Sequence, residues 1–539
     1  MRTLLYIIRR AQQEKDMSPR SFQKTDEQQE ICDYQFDPGE VVAINAYTGS
    51  GKSTTLRLIA EAHPDTKFLY LCFNNPVAAE ARKRFPSNVE VSTMHAYARR
   101  RVLDRFQGGN KAKEIGIELR PKEIGDMLKV PPNTAVSVRD ALRQFLFSKD
   151  KEISVRHVEG GRKGMDKGDI VAKARSLWKQ MIDPESAVPL SHDGYLKFFV
   201  DGDTTALRHD AILLDEAQDT NPVTAAFVEA QREKGATLIL VGDRHQSIYG
   251  FRRNENFIQQ AMDSGATGFN LTTSFRLTQE AADAASDILN SFKDDPVRIT
   301  GLQANAPKTG TRAFLSRTNA MLMDEAQYLL ESGVKKIHFA GTSEKAGYDP
   351  SMAYGFSDIL DVYNLWQGFA QSVKSPYFQR FGAYSEIKEF AVTRDGSPVD
   401  VELARLVGFV EKRGHDIPDL LAAVQAAACS PAEAEMTLSS IHRSKGMEWD
   451  SVRVGDDIMD LNEAEEQRKE MTLAQFNEEV NLVYVAGSRS RGTTVMPEHF
   501  TRWRGQLGEA EEEVGIGLTV STITRENASK VMRHLFTGR

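Results

Sequence analysis

The sequence predicts an α/β protein built on two parallel sheets, each with a helical insertion. Short and nearly continuous apolar runs alternate with segments of helical character, and such runs are typical of strands that are buried on both faces. One set comprises FLYLCF (68–73), AILLDE (211–216) and TLILVGD (237–243). A second set comprises TRAFLSRT (311–318), MTLSSIH (436–442), SVRVGD (451–456) and LVYVAGSR (482–489). Two separate sets indicate two α/β domains.

Composition changes between the strands of each set, which indicates insertions. The stretch after residue 98 is rich in Lys and Arg, contains the loop EGGRKGMDKGD (159–169), and suggests a capped helix that begins at Ser137. The stretch from residue 348 to 430 is mixed and mainly helical. We therefore predict the first domain at 1–98 and 200–268, its insertion at 99–199, the second domain at 269–347 and 431–539, and its insertion at 348–430.

Bulk composition excludes several classes of protein. The 539 residues are 40% hydrophobic and 27% charged, and no apolar run approaches the roughly 18 residues that a membrane span requires. Three widely spaced cysteines suit a reducing compartment and exclude a cysteine-rich zinc site. The formal net charge of −8 argues against coating of nucleic acid by bulk charge, although a local basic groove remains compatible with it.

The first chemical motif is INAYTGSGKSTTL (44–56), which follows an apolar strand and precedes a helical pattern. Its glycines let backbone N–H groups turn toward a phosphate, and the helix N-terminus adds a favourable dipole. Lys52 would contact the β- and γ-phosphates and Ser53 would bind Mg²⁺. The alternative is an ordinary Gly-rich turn, since Ala46 stands where the full pattern has Gly. The expected nucleotide-binding residues of this loop are Gly49, Ser50, Gly51, Lys52, Ser53 and Thr54.

The second motif is ILLDEAQD (212–219), in which two acids follow four apolar residues. Asp215 would hold Mg²⁺, and Glu216 would orient and deprotonate the attacking water. A solvated helix N-cap is the alternative interpretation. The third motif, VGDRHQSIYGF (241–251), places Gln246 just after a strand and two aromatic residues on the same short loop.

The motifs occur in an order that resembles the superfamily 1 helicases of the UvrD/Rep type. The segments that carry the resemblance are TDEQQEI (25–31), AYTGSGKST (46–54), FNNPVAAEA (73–81), STMHAYA (92–98), DEAQD (215–219), VGDRHQSIYGF (241–251), LTTSFR (271–276), IHRSKGMEW (441–449) and EEVNLVYVAGSRS (478–490). Within that family the sequence is most similar to the F-box DNA helicases. We find no F-box-like leader and expect a helicase core alone, of bacterial or viral type. The departures from the family pattern are Pro76, Met94, Phe251 and Ser488.

The resemblance implies a role for each motif residue. Gln28 would read adenine, Phe275 would stack on it, and Glu448 would reach the ribose. Gln246 would sense the γ-phosphate, and Arg276 and Arg489 would stabilise its charge from the opposite domain, although a surface salt bridge is the ordinary interpretation of a single arginine.

The resemblance also implies a set of DNA contacts, which are Phe73, Asn75, Thr93, His95, Tyr249, Phe251, Arg252 and His442. For Tyr249 and Phe251 the alternative is a buried aromatic pair, and for His95 it is a role in the core. The basic stretch ARRRVLDR (98–105) could contact backbone phosphates or form a solvated face.

We expect an ATP- and Mg²⁺-dependent helicase or translocase, and the resemblance implies that it acts on DNA and moves 3′→5′, with single-stranded and tailed duplex DNA as partners. Recombination or replication proteins are possible partners, a membrane is not, and the cytoplasm is expected, or the nucleus in a eukaryote. The alternatives are a translocase that strips proteins from DNA and a regulatory module that binds nucleotide without hydrolysing it.

Overall fold

The computed structural model describes residues 24–106, 110–158, 166–202, 209–250, 256–293, 295–303, 310–351, 353–375, 377–391 and 401–513. Its described strands form two large sheets, one of six strands and one of five, in which all paired strands run parallel. The predicted α/β class with two parallel sheets and helical insertions is confirmed. We call the parts of the chain around these sheets the first and second units.

The first sheet has the strand order β3-β2-β4-β5-β1-β6. Its strands are β1 Val41–Ala46, β2 Phe68–Cys72, β3 Val89–Thr93, β4 Ala211–Leu214, β5 Thr237–Gly242 and β6 Thr267–Leu271. Every residue of β2, β4 and β5 is buried, as the continuous apolar runs predict. Because the strands are parallel, the carboxyl ends of β1, β4 and β5 meet at one edge, where ligands of such sheets bind.

The second sheet has the strand order β10-β11-β9-β12-β13. A separate two-stranded sheet is formed by residues that lie between β6 and β9 in the sequence. The strands of the second sheet are β9 Arg312–Ser316, β10 Ile337–Phe339, β11 Met436–Ser440, β12 Trp449–Val454 and β13 Ser490–Val495. The small sheet pairs β7 Thr273–Ser274 with β8 Thr300–Gly301. The predicted domain boundaries remain a prediction. Strand β6 nevertheless extends across the predicted boundary between residues 268 and 269, because all five of its residues pair with β1 of the first sheet.

The first unit carries its helical insertion between β3 and β4. The described helices of this unit are Asp26–Asp33, Lys52–Ala62, Asn75–Arg84, Met94–Arg105, Pro121–Leu128, Pro132–Leu146, Lys167–Ile182, His192–Asp201, Pro222–Arg232 and Phe257–Asp263. The predicted start at Ser137 is wrong, because this helix begins five residues earlier at Pro132. Proline suits a first turn because its missing N–H would have no partner there.

The second unit carries its insertion between β10 and β11. Its described helices are Gln279–Phe292, Asn319–Glu331, Phe356–Trp366, Tyr384–Ala391, Val401–Arg413, Ile417–Ala427, Ile441–Ser444, Ala464–Glu470, Leu473–Gly487 and Glu498–Glu513. Across the described parts of both units, no helix is long and apolar enough to span a bilayer.

Candidate active site

The phosphate loop, residues 47–51, joins β1 to the helix Lys52–Ala62 and needs its glycines for steric reasons. Gly49 and Gly51 have φ of +73° and +83°, which lie in the left-handed region that favours glycine. A Cβ atom added to Gly49 would lie 2.5 Å from Ser274 Oγ and 2.6 Å from Arg276 Cβ. The loop is therefore pressed against the segment that follows β6, and it directs its backbone toward the cleft between the two units.

The two acids at the end of β4 face the phosphate loop. The Tyr70 hydroxyl donates to Asp215 Oδ2 over 2.6 Å, and Lys52 Nζ lies 3.7 Å from Glu216 Oε1. Burial and the adjacent Glu216 carboxylate raise the pKa of Asp215 to about 6. Burial alone would raise the pKa of Glu216 as well, but the charges of Lys52 and Lys445 bring it down to about 2. Glu216 is therefore ionised and able to accept a proton.

Two arginines converge on Thr48 of the phosphate loop, and Gln246 contacts one of them. Gln246 Nε2 donates to Asp243 Oδ2 over 2.7 Å, and its Oε1 accepts from Arg489 Nη2 over 3.3 Å. Arg489 Nη2 and Arg276 Nη1 each lie 3.3 Å from Thr48 Oγ1. Burial and the neighbouring Arg276 lower the pKa of Arg489 to about 9, so the Arg489 guanidinium is still charged at neutral pH. Two cations from the second unit thus reach the first unit's phosphate loop.

Of the residues expected to contact adenine and ribose, Phe275 and Glu448 line the cleft, whereas Gln28 is fully buried and is not part of its lining. Gln28 Nε2 donates to Thr55 Oγ1 over 3.0 Å, and Gln28 also accepts from the Thr25 amide through its Oε1. A Cβ atom added to Gly51 would lie 3.6 Å from both Gln28 Nε2 and the Phe275 ring. Glu448 Oε2 accepts from Arg276 Nε over 2.8 Å. Gln28 and Phe275 thus lie beside Gly51, whereas Glu448 is bonded to Arg276, which contacts Thr48 together with Arg489.

The cleft has a volume of about 800 Å³, which is within the range of small-molecule sites. Its lining includes Gly49, Ser50, Gly51, Lys52, Ser53, Thr54, Asp215, Glu216, Phe275, Arg276, Lys445 and Glu448. Ser53 and Asp215 fit Mg²⁺, because both line the cleft and both offer side-chain oxygen ligands. Mg²⁺ commonly uses one or two protein oxygens together with substrate phosphates.

Two residues inside the quoted motifs have contacts that the sequence did not indicate. Lys445 Nζ donates to Asp219 Oδ2 and to the Gln246 main-chain oxygen, so it crosses the cleft. The Tyr484 hydroxyl donates to Asp243 Oδ2 over 2.9 Å and accepts from the Thr48 amide over 3.2 Å. In the sequence, the only indication of these contacts was that both residues lie within motifs assigned to the second unit.

A second groove of about 910 Å³ adjoins the nucleotide cleft, and residues predicted to contact DNA line it. The two spaces share Phe73, Asp215, Glu216 and Asp219 in their linings. Phe73 lines the groove and is 58% exposed, which leaves its ring available for stacking.

The other predicted contacts on this face differ in how accessible they are. His95 lines the groove and lies 3.4 Å from Asp193 Oδ1. Thr93 is buried, and its hydroxyl caps the helix Met94–Arg105 by accepting from the Ala96 amide. Asn75 is exposed at the start of the helix Asn75–Arg84. His95 and Asn75 are therefore accessible, whereas the Thr93 hydroxyl already has a structural role.

The loop that follows Gln246 connects the two units. The Tyr249 hydroxyl donates to the His442 main-chain oxygen over 2.8 Å, and Lys445 Nζ lies 5.5 Å from the centre of the Tyr249 ring. Tyr249 is half-buried, so the structure gives it a contact between units in place of an open stacking platform. Phe251 and Arg252 lie outside the described residues.

The basic stretch 98–105 makes contacts within the first unit. Arg100 Nη2 lies 3.0 Å from Glu90 Oε1, and the Arg101 guanidinium lies 3.4 Å from the centre of the Tyr97 ring. Arg105 lies over the Phe198 ring at 4.9 Å. These three side chains pack on their own surroundings, which supports the interpretation of this stretch as a solvated helix face.

Comparison with known proteins gives one matching family model and several relatives. An AAA domain model matches residues 28–252. F-box DNA helicase 1 of Gallus gallus is 28% identical over 90% of this chain and 50% of its own length. F-box DNA helicase protein 1 of Schizosaccharomyces pombe is 27% identical over 89% of this chain and 58% of its own length. A probable DNA helicase II homolog of Rickettsia conorii is 37% identical over 16% of this chain and 14% of its own length.

The chain thus spans about half the length of the two F-box DNA helicases that it matches along most of its own sequence. The similarity includes both parallel sheets as well as the motifs around the cleft. The ordered motifs, the two α/β units and these relatives together show that the chain is similar to DNA helicases, and along most of its sequence to the F-box DNA helicases.

Proposed function

We propose that the chain is an ATP-dependent DNA helicase that moves 3′→5′ along single-stranded DNA. The observation that carries this proposal is the approach of Arg489 and Arg276, from the second unit, to Thr48 in the phosphate loop of the first. A site assembled from two units is complete only when they are close together. Hydrolysis at such a site can therefore be coupled to relative motion of the units.

The reaction is transfer of the γ-phosphoryl group of ATP to water. Lys52 and the backbone amides of the phosphate loop hold the phosphates, and Ser53 and Asp215 would hold Mg²⁺, which neutralises phosphate charge when bound. The water oxygen bonds to the γ-phosphorus, the bond from that phosphorus to the β–γ bridging oxygen breaks, and Glu216 accepts the water proton. The products are ADP and phosphate, and Arg276 and Arg489 stabilise the charge that develops between them.

The adjoining groove supplies the path by which nucleotide state could reach DNA. Asp219 lines both spaces, and Lys445 of the second unit is paired with it. Phe73 and His95 lie in the groove, where the exposed ring of Phe73 can stack on a base. Stacking is tolerant of base sequence, which suits a motor that must move along any strand. Movement along the strand would thus follow from closing and opening of the cleft.

The test is ATP hydrolysis titrated with single-stranded DNA and with RNA, followed by unwinding of duplexes with a 3′ or a 5′ tail. We expect DNA-stimulated hydrolysis and preferential unwinding of the 3′-tailed duplex. Displacement of a bound protein without unwinding would instead indicate a stripping translocase that acts on recombination or replication proteins. Nucleotide binding without hydrolysis, under conditions in which the chain is folded, would indicate a regulatory module and refute the proposal.

A further inference from the structure

A buried cluster that is not part of the lining of the cleft joins three parts of the chain. Asp295 follows the helix Gln279–Phe292 of the second unit, and both of its carboxylate oxygens bind residues of the first unit. Oδ2 accepts from the Tyr47 hydroxyl over 2.7 Å and lies 2.6 Å from His245 Nε2. Oδ1 lies 2.5 Å from Arg244 Nη2. The mechanism above uses none of these four side chains.

The cluster is closed to water, and its charges balance. Tyr47 is 2% exposed and His245 is 6% exposed, and the Asp295 side chain is 11% exposed. Burial opposes ionisation of Asp295, but His245 and Arg244 hold its pKa well below the usual range. Burial lowers the pKa of His245, so the imidazole is neutral at neutral pH and donates from Nε2 to the carboxylate. The Asp295 carboxylate thus balances the charge of the Arg244 guanidinium and accepts hydrogen bonds from two neutral donors, Tyr47 and His245.

The first of these donors belongs to the phosphate loop. Tyr47 directly precedes Thr48, on which Arg276 and Arg489 converge. Its ring lies in the apolar core of the second unit, together with Leu277 and Ile299. Tyr47 is therefore a residue of the first unit that is anchored in the second.

The other two partners belong to the sensor segment. Arg244, His245 and Gln246 form one turn of 3₁₀-helix that begins after Asp243. The amide of Gln246 donates to the Asp243 main-chain oxygen over 2.9 Å, and the amide of His245 donates to Asp243 Oδ1 over 3.1 Å. Because the turn is short, the orientation of its first two side chains fixes the direction of the third. Contacts of Arg244 and His245 with Asp295 therefore constrain Gln246.

The second-unit helix that ends before Asp295 begins just after Arg276. Thr278 caps this helix by accepting from the Ala281 amide over 3.3 Å. The helix therefore has contacts with consecutive residues of the phosphate loop beyond both of its ends, through Arg276 to Thr48 and through Asp295 to Tyr47. Rotation of the helix would move both contacts together.

We propose that Asp295 is a positioning residue for ATP hydrolysis, which ties Tyr47 of the phosphate loop and the turn carrying Gln246 to the helix Gln279–Phe292. This inference rests on the proposed function, because the turnover that it would tune is that of the same cleft. Asp295 does not touch the nucleotide. It keeps Gln246 and the phosphate loop in register with the helix that follows Arg276, so its loss would impair the closed, reactive arrangement more than it impairs nucleotide binding.

The test compares Asp295→Asn with a matched control at Asp287, in the helix that precedes Asp295. Asp287→Asn removes another partly buried ion pair, since Arg504 Nε lies 2.6 Å from Asp287 Oδ2, but that pair has no described contact with the cleft. With saturating DNA, Asp295→Asn should lower kcat by about 10-fold or more and change the KM for ATP by less than about 3-fold, as coupling energies of this kind suggest. Tyr47→Phe should lower kcat in the same direction, and adding it to Asp295→Asn should lower kcat by less than the product of the two single effects.

Hydrogen exchange tests the role of Asp295 independently of ATP turnover. Hydrogen exchange of the segment 244–246 should be faster in Asp295→Asn than in the wild type, and unchanged in Asp287→Asn. If the wild type showed no ATPase activity, the proposed function would fail, while hydrogen exchange would still show whether Asp295 orders the sensor turn. Equal effects of Asp295→Asn and Asp287→Asn on both readouts would overturn the inference and leave Asp295 with a purely structural role.

Discussion

Lys445 of the second unit and Asp219 of the first form a buried ion pair across the nucleotide cleft. Their side chains are 8% and 1% exposed, and the Lys445 ammonium also donates to the main-chain oxygen of Gln246. Burial raises the pKa of Asp219 to about 6, and the Lys445 charge opposes that rise. The pair thus connects the end of the acidic motif, the sensor and the second unit at one point.

Removal of the ammonium should destabilise the chain and do so more strongly at higher pH. In Lys445→Met the Asp219 carboxylate loses its partner, and breaking a buried pair commonly costs about 3–5 kcal/mol. In the wild type the folded chain already binds the Asp219 proton more tightly than the unfolded chain, because the folded-state pKa lies above the ordinary value of 3.8. The free energy of unfolding therefore falls as pH rises from about 4 through 6. Without Lys445 this loss should be larger and extend to higher pH. Melting temperatures from pH 4 to 8 measure it, and adding Asp219→Asn should restore part of the stability. Identical pH profiles of Lys445→Met and the wild type would contradict the assignment of the pair.

Replacement of either arginine that contacts Thr48 should impair turnover more than binding. Arg489→Ala and Arg276→Ala should each lower kcat, by about 10³-fold following the magnitude known for arginine fingers. The affinity for ATP in the absence of DNA should change much less, because the phosphate loop remains intact. Steady-state kinetics and equilibrium nucleotide binding separate the two effects. Arg317→Ala is the matched control, because it breaks an ion pair with Glu479 within the second unit, 2.9 Å between Nη2 and Oε1. A similar kinetic loss in that control would indicate a general defect of the second unit.

Because Tyr249 contacts His442 of the second unit, the two roles of the aromatic loop, contact between the units and stacking on a base, can be tested at separate residues. Tyr249→Phe removes the hydrogen bond and keeps the ring, so it should preserve affinity for single-stranded DNA and weaken the dependence of that affinity on nucleotide. Phe251→Ala should lower the affinity itself by about 1–3 kcal/mol if the ring stacks on a base. Anisotropy titrations with and without a non-hydrolysable ATP analogue measure both quantities. Tyr328→Ala, at a tyrosine that is 61% exposed and lines neither space, is the control. A lower melting temperature for Phe251→Ala with unchanged DNA affinity would favour a buried aromatic role.

The residues beside Gly51 should determine preference for adenine. Gln28→Ala removes the amide that bonds to Thr55, and Phe275→Ala removes the ring next to it. One or two lost contacts of about 1 kcal/mol each should raise the KM for ATP by about 5- to 30-fold while that for GTP changes little. Gln29→Ala, which alters an exposed neighbour bonded to Asp33, should leave both values unchanged. A parallel rise of the KM for ATP and GTP would show that Gln28 supports the loop without reading the base.

The sequence alone predicted the sheets and the phosphate loop, because both depend on local patterns. Continuous apolar runs identified β2, β4 and β5, and the glycines at 49 and 51 identified the backbone turn that only glycine adopts easily. The start of the helix at Ser137 was wrong for a local reason: its serine resembles a cap, but the helix had already begun at Pro132.

Contacts between the units could not be predicted from the sequence. Lys445 and Asp219 are 226 positions apart, and Asp295 and Tyr47 are 248 apart, so their pairing depends on how the two units pack. The same reason applies to Tyr249, because an aromatic residue on a loop has the same sequence pattern whether it contacts DNA or another domain. The chemical type of each cleft residue was predictable from its motif, whereas its partner required the structure.

The most direct test of the central claim is the rate of DNA-stimulated ATP hydrolysis by Glu216→Gln, measured beside its affinity for ATP. Glu216 Oε1 lies 3.7 Å from Lys52 Nζ, and the pKa of Glu216 is held low, which supports the proposal that its ionised carboxylate is the base of the cleft. We predict that Glu216→Gln binds ATP about as tightly as the wild type and loses DNA-stimulated turnover, whereas Lys52→Ala loses turnover and also binds ATP more weakly. Turnover by Glu216→Gln near the wild-type rate would contradict the account, because the cleft would then hydrolyse ATP without the carboxylate assigned as its base.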